Sequence, residues 1–212
     1  MTDIADPHLA VPASGDAHAD HGHVTSTGIS NEKLAMWTFL ASECLLFGGL
    51  ISTFLLYKNR SGTGPLQETP HDLYDLAFTS ISSFVLLMSS LTMVLAVSAI
   101  QRGEHRALRT WLGTTALLGS IFIAGQVYEF KEFLNFGYGF THSPAWSAFF
   151  ALTGFHGVHV TLGIVMLLST LALSLTGRIG RPQAEAVEIV GLYWHFVDVV
   201  WVIIFTVVYL IN

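Results

Sequence analysis

Five ionisable residues lie deep within long apolar stretches of the chain: Glu43, His156, His159, His195 and Asp198. A charged side chain at the centre of a bilayer costs at least about 2.5–3.5 kcal/mol on insertion scales, so such residues usually face the interior of a helix bundle and mark function. His156 with His159, and His195 with Asp198, are spaced i, i+3, which places each pair on one face of a helix. Imidazoles and carboxylates in such positions can handle protons, bind a metal ion or hydrogen-bond a neighbouring helix. These five positions are the first candidates for a functional site.

Glu43 lies about nine residues into its apolar stretch, which is about 13 Å of helix and close to the bilayer midplane. Burial in hydrocarbon disfavours the charged form of a carboxyl group. Two interpretations are open at this position. Glu43 is an acid that handles protons or contacts lipid, or it is a neutral carboxylic acid that hydrogen-bonds a neighbouring helix.

The two histidine-containing stretches allow several kinds of chemistry. His156 and His159 could ligate a metal, but a lone two-histidine pair is a weak metal signal, because transition-metal sites need three or four ligands. Buried neutral histidines that donate to carboxylates are the favoured interpretation. His195 and Asp198 can pair within one helical turn or reach a neighbouring helix.

Gln126 and Glu129 form another i, i+3 pair, near the outer end of the third apolar stretch. A structural hydrogen bond to a neighbouring helix is the favoured role for them, and such bonds average about 0.6 kcal/mol.

The composition identifies the elements that must position these residues. Hydrophobic residues make up 52% of the 212 residues and charged residues only 11%, and the mean hydropathy is +0.57. Soluble domains carry about 25% charged residues. Five stretches reach the length of about 20 residues that a membrane-spanning helix needs. They are Leu34–Tyr57, Leu76–Ile100, Leu108–Leu134, Trp146–Thr176 and Val187–Ile211. The sequence therefore predicts an all-α, integral membrane bundle of five transmembrane helices.

Several classes of protein are disfavoured. The first apolar stretch starts too late and is too long for a secretory signal peptide. Cys44 is the only cysteine, so neither an internal disulfide nor a cysteine metal site can form. The formal net charge of −6 and the lack of a basic stripe argue against nucleic acid as a partner.

Residues 1–30 are predicted to form a separate, disordered and His-rich N-terminal tail, and residues 31–212 the bundle. His-rich tracts can bind metal, but a solvated tail is the favoured interpretation. Short connections predict that successive helices are antiparallel neighbours. Lys and Arg are more frequent in the segments that lie on the side of the N-terminus, six against three, which predicts a cytoplasmic N-terminus and an outside C-terminus.

Four motifs of these stretches resemble subunit III of the haem–copper respiratory oxidases, the family of cytochrome c oxidase. They are Ala41-Ser-Glu-Cys-Leu-Leu-Phe47, Gln126-Val-Tyr-Glu-Phe130, Gly154-Phe-His-Gly-Val-His-Val-Thr-Leu-Gly163 and Tyr193-Trp-His-Phe-Val-Asp-Val-Val-Trp201. The resemblance runs from about Asn31 to Ile211, and the last two motifs are very specific. The mitochondrial form has seven helices with a lipid-filled cleft, whereas this chain resembles the five-helix bacterial versions that lack the first two.

The resemblance implies a subunit of a bacterial plasma-membrane oxidase that reduces O2 to water and pumps protons. Glu43 matches the family's membrane-embedded carboxylate, and five further residues match its buried polar positions. These are Glu129, His156, His159, His195 and Asp198. In the family, subunit III carries no haem and no copper, which are expected in partner subunits; it holds phospholipid, supports proton uptake and packs against subunit I. Subunit II and a small subunit IV are further expected partners.

Alternatives remain open at this point. The electron donor is expected to be cytochrome c, with a quinol as the alternative. A rival of another class is a self-contained membrane metalloenzyme or transporter that uses His156, His159, Glu43 and Glu129 as ligands.

Overall fold

The computed structural model describes residues 30–58, 76–179 and 183–210 of the chain. The predictions made for the His-rich tail therefore lie outside the described residues, apart from Ser30. The connection between the first two predicted spans, residues 59–75, also lies outside them.

The described residues form five long helices, each of them long and apolar enough to cross a membrane. They are α1 (Asn31–Lys58), α2 (Leu76–Arg102), α3 (His105–Asn135), α4 (Pro144–Leu175) and α5 (Ala184–Phe205), and α5 continues into a π-helical turn, Thr206–Leu210. Helices prevail because a spanning segment must satisfy its own backbone hydrogen bonds in hydrocarbon. The prediction of an all-α five-helix membrane bundle is confirmed.

Helix α5 is the element that most of the others share. It packs against α1, α2 and α4, while α3 packs between α2 and α4, and α4 also contacts α1. A central helix needs an apolar surface on several sides, and the buried side chains of α5 include large aromatic residues as well as aliphatic ones. Asp198 of α5 is only 5% exposed and thus faces other helices of the bundle.

Trp194 of α5 lies at the centre of this packing. Its indole ring packs directly against Gly119 of α3 and Gly163 of α4. A larger residue would not fit at either position, because an added Cβ would lie 2.5 Å from the ring at Gly119 and 2.8 Å from it at Gly163. The indole nitrogen donates to the Ser89 hydroxyl of α2 at 3.0 Å. One side chain thus ties α5 to three other helices and fixes the rotation of α5 about its axis.

Glycine and arginine shape the end of the bundle at which α2 and α4 finish. Gly103 adopts a φ of 79°, which closes a two-residue connection from α2 to α3. Arg109 of α3 donates to the backbone carbonyl of Ser174 at 2.6 Å. This carbonyl lies in the last turn of α4, beyond the reach of the helix's own i+4 donors, and it also accepts from the backbone N–H of Gly177 at 3.2 Å.

A polar network at the same end joins three helices. Lys33 of α1 donates to Glu188 of α5 at 2.8 Å, and Gln101 of α2 donates to the other carboxylate oxygen of Glu188 at 3.0 Å. At the opposite end, Lys58 of α1 donates to the carbonyl of Val207 in the π-helical turn at 3.2 Å. Helices α1 and α5 are therefore fastened to each other at both of their ends.

Candidate functional site

Glu43 and His159 meet in the middle of the bundle. Glu43 lies 12 residues into α1, about 18 Å along the helix, and its Oε2 is 3.1 Å from Nε2 of His159 on α4. Only 14% of the Glu43 side chain and 11% of the His159 side chain are exposed. The carboxyl group on α1 thus faces α4 and avoids the lipid, and a helix pair separated by 116 positions in sequence is joined by one polar contact.

The second nitrogen of His159 decides what this contact can do. Nδ1 lies 2.7 Å from the backbone carbonyl of Phe155. A carbonyl oxygen only accepts, so Nδ1 carries a hydrogen and donates it. The contact between Nε2 and Glu43 therefore shares a single proton, either as an imidazolium beside a carboxylate or as a neutral imidazole beside a carboxylic acid. Both forms have zero net charge, so the proton can move between the two residues without leaving a net charge in the membrane.

His156 has different surroundings, although it shares a helix with His159. Its ring is fully buried and stacks on Trp201 at 4.9 Å between ring centroids, with the edge of Phe122 at 6.1 Å. Neither ring nitrogen has a hydrogen-bond partner within the part of the chain that the structure describes. The i, i+3 spacing put both histidines on one side of α4, but the aromatic residues of α3 and α5 surround His156, while Glu43 on α1 reaches only His159.

His195 and Asp198 both lie close to Ser90 on the neighbouring helix. Nδ1 of His195 is 2.6 Å from the hydroxyl of Ser90 on α2. The Asp198 carboxyl group is buried near the same hydroxyl, and its Oδ1 has no hydrogen-bond partner within the described residues. A hydroxyl can donate one hydrogen bond while it accepts another, so Ser90 is placed to connect the imidazole to the carboxyl group.

Gln126 and Glu129 share one side of α3 but bind different helices. Gln126 donates from Nε2 to the backbone carbonyl of Thr153 on α4 at 2.9 Å. The Glu129 carboxylate accepts a hydrogen bond from the Thr79 hydroxyl of α2. Both contacts join α3 to a neighbouring helix, and neither contact involves Glu43 or His159.

The hydroxyls of α2 are the polar residues that the sequence did not single out as a site. Ser89 and Ser90 accept or share hydrogen bonds with α5, and Ser83 accepts from the indole nitrogen of Trp201 at 2.9 Å. Ser83 and Ser89 also donate to backbone carbonyls of their own helix. Ser83, Ser89 and Ser90 are spaced i, i+6 and i+7 on α2, and Trp194 and Trp201 are seven residues apart on α5. This matching spacing is the sequence pattern that could have indicated the contacts.

The proposed metal ligands are not assembled as a set. Within residues 30–58, 76–179 and 183–210, no three His, Cys, Asp or Glu side chains are grouped so that they could hold a metal ion. Glu129 contacts Thr79, and Glu43 contacts only one of the two histidines. The geometry therefore suits proton sharing between buried residues, and it does not build the four-ligand site of the metalloenzyme alternative.

Residues 10–212 of the sequence match the family of cytochrome c oxidase subunit III. The chain belongs to the cytochrome c oxidase subunit III family. The match extends further towards the N-terminus than the motifs that first indicated the resemblance.

Relatives support the same assignment over nearly the whole chain. Cytochrome c oxidase subunit 3 of Bacillus sp. (strain PS3) is 38% identical over 182 residues, which is 86% of each chain. Quinol oxidase subunit 3 of Bacillus subtilis (strain 168) is 39% identical over 203 residues, 92% of this chain and 97% of that protein. Cytochrome c oxidase subunit 3 of Synechocystis is 37% identical over 198 residues, 93% of this chain and 81% of that protein. The chain is thus a multi-pass membrane subunit of a terminal oxidase, an oxidoreductase complex.

Proposed function

We propose that this subunit III packs against the catalytic subunit I of a proton-pumping haem–copper oxidase, stabilises it and supports proton uptake, without a redox centre of its own. The observation that carries the proposal is the contact between Glu43 and His159 near the middle of their helices, whose geometry allows the two residues to share one proton. A pair of this kind suits proton handling better than catalysis, because it offers no set of metal ligands.

The buried polar residues divide into two groups in this proposal. Glu43 and His159 are proposed to share a proton across α1 and α4. His195 and Asp198 are proposed to do so through Ser90, which contacts His195 across α2 and α5. Glu129, with its Thr79 contact, and His156, with its aromatic stack on Trp201, hold the helices at the spacing that these pairs require.

Substitution of Glu43 tests the proton-handling role. Glu43→Gln keeps a side chain of the same size but cannot share a proton with His159. Glu43→Asp keeps the acid but withdraws it by one methylene, and Glu43→Ala removes the partner of a nearly buried imidazole. We expect assembled oxidase in which the number of turnovers before inactivation falls, most strongly in Glu43→Ala.

The control is Glu32→Gln, which removes an exposed carboxylate in the first turn of the same helix. The measurement is oxygen uptake followed over many turnovers, together with the yield of assembled complex. Wild-type rate, assembly and turnover lifetime in all three Glu43 variants would refute a role for this carboxyl group.

The partners and surroundings follow from family membership and composition. Haem and copper are proposed to reside in partner subunits, with subunit I as the main contact and subunit II and a small subunit IV as further neighbours. Exposed aliphatic and aromatic side chains cover the outer faces of the helices, which suits phospholipid as the surrounding solvent. The excess of Lys and Arg at the end where α1 begins supports the proposal that the N-terminus lies in the cytoplasm and the helices in a bacterial plasma membrane.

Cytochrome c is the proposed electron donor, and quinol is the alternative. Relatives of similar identity are named after each of the two donors, so similarity to this subunit does not separate them. Oxygen uptake by the purified complex with reduced cytochrome c, and separately with a short-chain quinol, tests the proposal. Oxidation of quinol alone would assign the alternative.

A further inference from the structure

A groove of about 320 Å³ lies between α2 and α5 at the end of the bundle where α5 begins. Aliphatic side chains form its walls, but four polar residues line it from the helix ends inwards. These are Gln101, Glu188, Ser98 and His195. Glu188 follows the start of α5 by four residues, and His195 lies seven residues further, about 10 Å deeper.

The inner end of this groove reaches the second proton-sharing group. Nδ1 of His195 faces Ser90, and behind it Ser90 meets Asp198. For Nε2 of His195, the described part of the chain supplies no hydrogen-bond partner, and the ring is only half-buried at the groove. Ionisable residues inside a membrane usually face a bundle interior or a water-filled cavity, because a polar atom facing hydrocarbon costs several kcal/mol.

We propose that this groove is a hydrated inlet through which water carries protons from the aqueous surface near Glu188 to His195. This inference rests on the proposed function, in which the subunit supports proton uptake by the oxidase. The carboxylate of Glu188 at the mouth and the imidazole at the inner end are the polar groups that hold the water. A second groove of the same volume, between α3 and α4, is also lined by Gln126, Thr153 and Thr161, but it holds no ionisable residue and is proposed to be drier.

The contact between His195 and Ser90, with Asp198 close to the same hydroxyl, provides the path for the proton step. The step begins with a hydrogen on Nδ1 of His195 and with Asp198 ionised. A proton from water binds Nε2 of His195, the proton on Nδ1 passes to Oγ of Ser90, and the hydroxyl proton of Ser90 passes to the Asp198 carboxylate. One proton enters and one carboxylate is neutralised, so the step is balanced. Afterwards Asp198 donates to Ser90, and Ser90 donates to Nδ1.

Two valines allow a matched test of hydration. Val94 lines the first groove and is 50% exposed, and Val127 lines the second and is 48% exposed. Each lies eight residues from the nearer end of its helix, Arg102 for Val94 and Asn135 for Val127. The two positions thus match in residue type, exposure and depth, and differ in the polarity of the groove.

The experiment labels single cysteines in the intact oxidase complex in membranes. With Cys44→Ala as background, Val94→Cys, Ser98→Cys and Val127→Cys are treated from both sides with a membrane-impermeant cationic thiosulfonate, and the mass shift of this chain is followed. Only a hydrated thiol ionises readily, so we expect Val94→Cys and Ser98→Cys to react at least about tenfold faster than Val127→Cys. Adding Val97→Phe, which narrows the groove, should slow the labelling of Val94→Cys.

Three outcomes would overturn the proposal. Equal rates at positions 94 and 127 would mean that the polar groove is no wetter than the apolar one. Reaction at position 98 without reaction at position 94 would mean that water fills only the outer part of the groove and does not reach His195. Reaction at position 94 only after dissociation of the complex would mean that another subunit covers the groove. None of these readings depends on oxidase activity, so they separate this inference from the proposed function.

The relay has its own test, deuterium exchange of the Asp198 carboxyl group followed by infrared difference spectroscopy, with Asp198→Asn to assign the band. Ser90→Ala should slow the exchange, whereas Ser83→Ala, which removes a hydroxyl that serves Trp201, should leave it unchanged. Equal exchange in both variants, or no exchangeable band that Asp198→Asn removes, would contradict the relay.

Discussion

Replacement of Gly163 by alanine probes the packing that holds both proton-sharing groups in place. The new Cβ would lie 2.8 Å and 2.9 Å from two carbons of the Trp194 ring, where about 3.5–4.0 Å is favourable. The ring cannot retreat towards α3, because it already packs closely against the backbone of Gly119. A Cβ built on Gly119 would lie only 2.5 Å from the ring. Trp194 must therefore tilt, and its nitrogen must leave the Ser89 hydroxyl.

The magnitude follows from these two losses. Overpacking costs about 1–3 kcal/mol, and an indole nitrogen left buried without an acceptor costs about 1–3 kcal/mol more. Alanine regains up to about 1 kcal/mol through its higher helix propensity. We expect Gly163→Ala to lower the free energy of unfolding by about 1–6 kcal/mol.

The control is Gly154→Ala on the same helix, because outside its own helical turn no atom of the described residues lies within 4 Å of the Cβ that it would add. That variant should be unchanged or stabilised by up to about 1 kcal/mol. The assay is thermal unfolding of the purified complex, monitored through the release of this chain. Equal stability of the two variants would refute the reasoning, since it would show that Trp194 is free to move.

Three further outcomes follow from the contacts at the helix ends and from the site. Arg109→Ala should destabilise the bundle by about 1–3 kcal/mol, because the Ser174 carbonyl at the end of α4 loses its charged donor and keeps only the backbone N–H of Gly177 at 3.2 Å. The exposed neighbour variant Arg106→Ala should stay within about 0.5 kcal/mol of wild type in thermal unfolding. Lys33→Met should cost only about 0–1 kcal/mol, because its ion pair with Glu188 is partly exposed, and the loss should shrink at high salt in the same assay. Metal analysis of this chain separated from its complex should find no stoichiometric iron, copper or zinc; tight binding of any of them would favour the metalloenzyme alternative.

The number and type of the helices could be predicted from the sequence because each spanning stretch carries its own signal. Hydrocarbon thickness sets the length, and the lack of water forces the backbone into helices, so neither depends on which helix packs against which. The membrane depth of Glu43 could be predicted for the same reason.

The partners of the buried residues could not be read from spacing alone. Spacing at i, i+3 places His156 and His159 on one side of α4, but whether a histidine meets a carboxylate or an indole depends on the rotation of α1 and α5. That rotation is set by long-range packing, such as the fit of Trp194 against Gly119 and Gly163. The glycines carry no polar signal, so a search for chemistry-bearing residues passes over them.

Ser90 illustrates the same limit. Serine in a membrane helix usually bonds a backbone carbonyl of its own helix, as Ser83 does with Thr79 at 2.7 Å. Nothing in the local sequence separates Ser90 from its neighbours. Only the approach of α5 brings an imidazole and a carboxyl group to this one hydroxyl.

The central claim is that this chain works as a non-redox subunit whose buried acids and imidazoles are shielded inside a larger oxidase. Purification in mild detergent, with identification of the co-migrating polypeptides and metal analysis of each, tests it most directly. We expect a stoichiometric haem–copper subunit in the same particle, with the metals in that partner. A chain that migrates alone, retains a bound redox metal and consumes oxygen would contradict it.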